Sequence, residues 1–220
     1  LRDEGWGGGR RIGVTRLDRE CAWVGERNVR DATEDRIRNV FRGGMDVELG
    51  EFPRLTYVEA MRRYGSDKPD LRIALELVDI AELVKNCEFK VFTDWANHAE
   101  GRVVALRVPG GATLSRKQLD EVAAHAAKYG AKGLAWMKID DASKGREGVN
   151  SPIAKFLDDA TLQAIVSATA VKSGDLILFG SAAYKSASDF MGAVRLKVAK
   201  DIGLVKQGWT PLWVTDFPMF

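Results

Sequence analysis

Two short charged clusters near the start of the chain are the residues best suited to chemistry: Arg2-Asp3-Glu4, then Asp18 and Glu20 beyond a glycine-rich tract. If both stretches are strands, their twofold alternation puts Arg2 and Glu4 on one face, and likewise Asp18 and Glu20. Paired antiparallel, they would set a guanidinium among carboxylates. A guanidinium is a planar fork that grips a carboxylate or phosphate. Carboxylates in turn suit an ammonium group, ribose hydroxyls or a divalent cation. The same pattern describes a surface salt-bridge ladder across a hairpin, which contributes little stability, and spacing alone favours that plainer reading. Elsewhere, Lys68 and Arg72 flank a turn in GSDKPDLR, Gly65 to Arg72. They read equally well as the rim of a site and as part of a proline-stiffened connection. Gly7-Gly8-Gly9 and Pro109-Gly110-Gly111 lack the Lys-Ser/Thr and following helix of a phosphate-binding loop, so they read as loop and turn. No metal-ligand spacing surrounds Cys21, Cys87, His98 or His125, and no residue is assigned to a metal.

Composition narrows the classes. Of 220 residues, 45% are hydrophobic and 29% charged, which is ordinary globular usage with enough chain for one large or two modest cores. Lys and Arg total 33 against 31 Asp and Glu, a net charge of +2. That balance excludes a basic mat for nucleic acid but leaves a local patch open. Apolar runs stop short of membrane-spanning length, and two cysteines without framework spacing suit a reduced, cytoplasmic setting. The chain opens on LRDE, which reads as mid-strand and leads to the expectation of a piece cut from a longer protein.

The elements that must position these residues alternate in type. VTRLDRECAWV, from Val14 to Val24, alternates apolar and polar residues as a half-buried strand does, pairing with Arg2–Glu4 across the loop. Glu26 to Phe41 predicts an amphipathic helix ended by Gly43-Gly44. Thr56 with Glu59, and Ser115 with Gln118, are capping boxes that start helices over Tyr57–Tyr64 and up to Tyr129. Strands are expected at Glu88–Phe92, Arg102–Val108, Leu134–Ile139, Ile153–Leu157, Leu176–Phe179 and Pro211–Phe217. Asp158 or Asp159 opens one further helix, and Ser186 or Ser188 another that ends near Gly203. Trp136 and Trp213 read as core, and Arg116, Lys117 and Lys128 as a solvated helix face. The fold class is α+β, with a self-contained middle section and two ends that belong together.

RDE…TRLDRE resembles motif 2 of class II aminoacyl-tRNA synthetases, whose aspartate-specific members carry an FRDE-like strand, a loop and a TQ(L/I)D-x-E strand. Longer blocks follow in order: FPRLTYVEAMRRYGSDKPDLR, EFKVF, GRVVALRVPGGA, SRKQLD, YGAKGLAWMKI, NSPIAKFL, GDLILFG, GAVRLK and PLWVTDFPMF. Together they make nearly the whole chain similar to bacterial aspartyl-tRNA synthetases. The resemblance implies part of a class II antiparallel catalytic sheet over 1–74, interrupted by an α/β insertion (GAD) domain over 75–188 and resumed over 189–220. The strand at Pro211–Phe217 is then expected to rejoin the sheet of Arg2–Glu4. The implied activity is ATP-dependent formation of aspartyl-adenylate, with Mg2+, followed by transfer to tRNA-Asp or also tRNA-Asn by a cytoplasmic homodimer with no membrane contact. Arg2 is the implied catalytic residue, holding the ATP α-phosphate and the aspartate carboxylate. Asp3 and Glu4 are implied ATP contacts, Asp18 an aspartate contact at its ammonium group, and Glu20 and Arg10 further site residues. Lys68 and Arg72 become candidates for a tRNA-proximal surface.

Departures from that family are concentrated in one loop. GWGGGRRIGV, from Gly5 to Val14, replaces a polar tract like DLRADRQPEF, and only Arg10 keeps its identity. Val14 stands where an aromatic stacks on adenine, a platform worth about 1–3 kcal/mol per base. Arg11, Gly13 and Arg16 replace a glutamine, a glutamate and a glutamine. Two compensating frame errors or a diverged, inactive copy both fit; an unbroken frame on resequencing removes the first. Motifs 1 and 3 are not in this sequence, so the 220 residues alone are expected to be inactive. The alternative from another class is a non-catalytic tRNA-binding or interaction module.

Overall fold

The structure is a computed structural model that describes the backbone at residues 2–4 and 14–16 and the chain in full over 25–219. Contacts divide it into two units, residues 1–50 and 51–220. In the first, β1 (Arg2–Glu4) pairs antiparallel with β2 (Val14–Arg16). The expected strand to Val24 and the loop at 5–13 otherwise lie outside the described residues. The helix α1 (Glu26–Met45) has no buried residue and is laced by i,i+4 ion pairs such as Arg30–Glu26 and Arg27–Asp31. Gly43-Gly44 do not end it, contrary to expectation. A helical glycine costs about 1 kcal/mol but leaves the hydrogen-bond ladder intact. Termination comes instead at Asp46, which turns left-handed (φ 54°).

The second unit begins with β3 (Arg54–Thr56) and α2 (Tyr57–Tyr64), whose Thr56/Glu59 capping box is present as predicted. There follow β4 (Leu77–Asp79), α3 (Ala81–Val84), α4 (Lys90–Ala96), β5 (Gly101–Val108), α5 (Arg116–Ala127) and β6 (Ala135–Ile139). The remainder is β7 (Val149–Asn150), α6 (Asp159–Thr169), β8 (Asp175–Ala183), α7 (Tyr184–Asp201) and β9 (Trp213–Thr215). Five strands form one antiparallel sheet in the order β4-β5-β8-β6-β7. Alternate residues of β5 enter two cores: Val104, Leu106 and Val108 pack with α5 and α7, Val103 and Ala105 with α3, α4 and α6. Helices therefore cover both faces, which is why VVAL and LILF read as unbroken apolar runs.

Three strand expectations are corrected. Glu88–Phe92 holds no strand: α4 starts at Lys90, and the helical spacing seats Phe92 in the core, with Phe89 stacked on Phe156 at 5.5 Å. Asn97 fastens the end of that helix by donating to the carbonyls of Thr93 and Lys85. Ile153–Leu157 is a 3-10 turn at Ala154–Phe156, because the carbonyls of Ala154 and Leu157 accept from the Arg146 guanidinium rather than from a strand. Finally, among the described residues the hydrogen-bonded partner of β9 is β3, not the expected Arg2–Glu4 strand. β9 and β3 run parallel, Leu55 opposite Val214, while β1 and β2 form a two-stranded sheet of their own. Leu55 is buried and packs with Val214, so apolar burial against α2 sets this pairing. Trp136 and Trp213 are half-buried rather than fully enclosed.

Gly65, left-handed at φ 66°, lies against Gly192 of α7 so closely that a β-carbon on Gly192 would stand 2.5 Å from the Gly65 carbonyl oxygen. Gly192→Ala is therefore expected to force the two segments apart and cost about 1–3 kcal/mol, read from urea midpoints. Asp175, buried at the start of β8, accepts from the backbone N–H of Gly110 (3.0 Å) and Lys172 (2.9 Å) and from Arg107 (2.7 Å). Burial pushes its carboxyl up, but these donors outweigh it and hold the group below the ordinary range. A depressed folded pKa means that this stability is present above the unfolded value near 3.9 and lost as pH falls through the folded one. Asp175→Asn is expected to cost about 1–3 kcal/mol at neutral pH. The gap to the native chain should narrow below about pH 4 in denaturation across a pH series.

Candidate functional site

The first candidate region is the β1–β2 hairpin. Its register sets Arg2 opposite Arg16, Asp3 opposite Thr15 and Glu4 opposite Val14. The hairpin expected from sequence thus exists in the backbone at Arg2, Asp3 and Glu4. Arg10, Asp18 and Glu20 lie outside the described residues, so the structure gives no geometry for the guanidinium–carboxylate grouping.

The second region is built where α2 ends. Gly65 donates its N–H back to the Met61 carbonyl and turns the chain left-handed, a conformation glycine takes without strain. In the following turn, the Lys68 N–H donates to Ser66 Oγ at 3.2 Å, and Asp70 accepts from both the backbone and the guanidinium of Arg72. That pair holds the Asp70 carboxyl below its usual range.

Two buried arginines fix this segment from beneath. Arg102 of β5 donates to the carbonyls of Met61 (3.2 Å) and Arg62 (2.5 Å), to Ser188 Oγ (2.7 Å) and to Asp79 (2.7 Å). The last carbonyls of a helix lack partners within it and carry partial negative charge, so a guanidinium there both caps and neutralises. Arg195 of α7, 1% exposed, donates to the carbonyls of Leu75 (2.7 Å), Asp70 (2.8 Å) and Ile73 (2.6 Å), and its guanidinium lies over the Tyr64 ring at 4.8 Å. Burial pushes Arg195 below the ordinary arginine range, opposed by Tyr64, Asp70 and Glu76. Burial also pushes the Tyr64 hydroxyl up, and Glu76, gripped by Arg63 at 2.6 and 2.9 Å, is held down.

Arg195, but not Arg102, lines a cleft of about 740 Å³ walled by α2, the loop at 66–70, α7 and the end of α5. Of the two loop residues singled out from sequence, Lys68 is exposed and lines the cleft; Arg72 is half-buried and committed to Asp70. His125 also lines it, 5.2 Å from the Tyr129 ring. His98 instead closes a turn, accepting from the Glu100 N–H. Cys87 is half-buried and free, with burial pushing its thiol up, and Arg116, Lys117 and Lys128 are exposed. Among the described residues, no group of three or more His, Cys, Asp or Glu could hold a metal ion. Sequence reasoning passed over Arg102 and Arg195, although a signal existed: Arg195 interrupts the apolar stripe Phe190, Met191, Val194, Val198 of one helix.

Comparison with known proteins places this fold. Residues 92–191 match the GAD domain model. Over 221 aligned positions, all of this chain, it is 60% identical to an aspartate–tRNA ligase of Stenotrophomonas maltophilia. It is 59% identical to one of Xanthomonas campestris pv. campestris and 58% to one of Xanthomonas oryzae pv. oryzae, again over its whole length. The chain spans 37% of the length of these relatives. Its whole length therefore aligns with one segment of these bacterial aspartate–tRNA ligases.

The two arginines of the loop segment should differ sharply in weight. Arg195→Leu takes the donors from the Leu75 and Ile73 carbonyls and leaves that of Asp70 with only the Ile73 N–H; it is expected to cost about 2–4 kcal/mol, with faster amide hydrogen exchange around 70–77. Arg72→Ala removes a half-exposed pair and is expected to cost under about 1 kcal/mol in the same measurements.

Proposed function

We propose that this chain is part of an aspartate–tRNA ligase that joins L-aspartate to tRNA-Asp at the expense of ATP. The observation that carries the reading is identity of 60% along the entire chain to proteins of that name. An aspartate carboxylate oxygen attacks the α-phosphorus, the bond from that phosphorus to the bridging oxygen breaks, and pyrophosphate leaves. A hydroxyl of the terminal ribose then attacks the aspartyl carbonyl, and AMP departs. Arg2 is assigned the charge that builds on the α-phosphate and carboxylate as they meet, a task its planar fork suits. Asp3 and Glu4 are assigned to ATP, Asp18 to the aspartate ammonium group, and Glu20 and Arg10 to the edge of the site. The backbone pairing of β1 with β2 supports this reading, since a short hairpin is what the assignment needs. Magnesium, arriving with ATP, would offset phosphate charge.

In the same reading, residues 1–74 and 189–220 belong to a class II catalytic core, and 75–188 form its insertion domain. The helix α7 runs unbroken across the second of these limits, so an excision of the insertion domain is best made beyond it. A homodimeric, cytoplasmic enzyme is proposed, charging tRNA-Asp alone or tRNA-Asn as well. No helix among the described residues is long and apolar enough to cross a membrane.

Aspartate-dependent pyrophosphate exchange tests the reading. The full-length protein is expected to exchange, and Arg2→Ala to lower its rate about 10²–10³-fold. The 220-residue chain alone is expected to show none. A full-length protein with no exchange and no tRNA aspartylation would overturn the reading.

A further inference from the structure

The cleft beside α7 holds a buried cation, Arg195, that has no carboxylate in direct contact among the described residues. Among the described residues every acceptor of Arg195 is a neutral carbonyl, yet the side chain is 1% exposed and lines the cleft. A buried cation without a carboxylate partner is costly, and an anion above it offsets that cost. Lys68, on the loop after α2, and Lys200, near the end of α7, are exposed and also line the cleft, and neither has an ion pair among the described residues. The carboxylates present are largely committed: Asp70 to Arg72, and Asp189 to Lys185 at 2.6 Å, with Asp67 also acting on Lys185. Positive charge thus dominates toward the Lys68, Arg195 and Lys200 part of the cleft.

Shape narrows the ligand. Lys185 and Lys200 both line the cleft from the single helix α7; at 1.5 Å per residue they stand about 22 Å apart. That is a groove rather than a socket for one small anion. Its rim carries His125 and Tyr129, with Tyr129 51% exposed, which offers a ring face beside the cations. Free cations tracking a groove together with exposed rings are how proteins hold single-stranded nucleic acid without reading its sequence.

We propose that this cleft binds the phosphate backbone of a short single strand of RNA, with phosphates on Lys68 and Lys200 above Arg195 and a base on Tyr129. The proposal rests on the reading that RNA is a partner of this protein and names where the strand lies.

The test is fluorescence anisotropy of a labelled single-stranded RNA octamer titrated with the 220-residue chain, at several salt concentrations. Binding is expected to weaken at least tenfold in the Lys68→Gln/Lys200→Gln double variant, with the slope of log affinity against log salt falling by roughly 1.4. Tyr129→Ala is expected to weaken binding severalfold without changing that slope. Both changes lie at exposed positions, and a melting temperature within about 2 °C of the native chain confirms that the fold is kept. Inorganic phosphate and AMP serve as competitors. Their failure to displace the octamer at equal phosphate concentration supports a strand; displacement by AMP as effective as by unlabelled octamer overturns it in favour of a free nucleotide. No binding by the native chain, or a double variant that binds like it, also overturns the proposal. Neither result bears on pyrophosphate exchange by the full-length protein, so the two readings fail separately.

Discussion

Three backbone carbonyls, those of Asp70, Ile73 and Leu75, converge on the guanidinium of Arg195 inside α7. This contact decides where the loop after α2 can lie and where β4 begins. Backbone that leaves a helix and runs under another element must find partners for its polar groups, because none can come from water there. A guanidinium offers several donors in one plane, so one side chain can satisfy a whole bend. Arg102 does the same for the end of α2, with Asp79 as its counter-charge. The difference between the two matters. Arg102 is paired with Asp79, whereas Arg195 is offset by Tyr64, by carbonyl dipoles and by more distant attraction from Asp70 and Glu76.

The antiparallel sheet supplies the rigid base for both arginines. Arg102 projects from β5, whose eight residues pair along their full length with β8. Helices α5 and α7 fill one side of that sheet and α3, α4 and α6 the other, so neither strand can shift register without driving an apolar set out of its core. The Gly65–Gly192 contact then brings α2 down on α7, with no room for a side chain between them.

Local chemistry made much of this legible. Capping at Thr56, Ser115 and Asp158 depends on residues three positions apart and is independent of what lies across the molecule, so those helix starts were readable. Strands β5, β6 and β8 were readable because their apolar, β-branched runs have no competing period. EFKVF was not, since Phe89 and Phe92 fit either a strand or a helix, and contact with Phe156 and Phe179 chose the helix. The partner of Trp213–Thr215 was equally unreadable: strand pairing joins residues some 160 positions apart, and a short apolar run does not name its neighbour. In the candidate site, Lys68 was legible as a turn residue, but its separation from Arg72 depended on the bend that ties Arg72 to Asp70.

The sequence by itself determined the resemblance to aspartyl-tRNA synthetases and the α+β alternation, and the residues proposed for ATP and aspartate follow from that resemblance. The first two rest on residue identity and local spacing, which a linear chain displays. Only the tertiary structure decided that Arg195 and Arg102 are buried anchors, that β9 lies on β3, and that Lys68, Lys200, His125 and Tyr129 share one cleft. Each of these joins segments distant in the chain, and burial of a charge shows only when the groups surrounding it have been brought together.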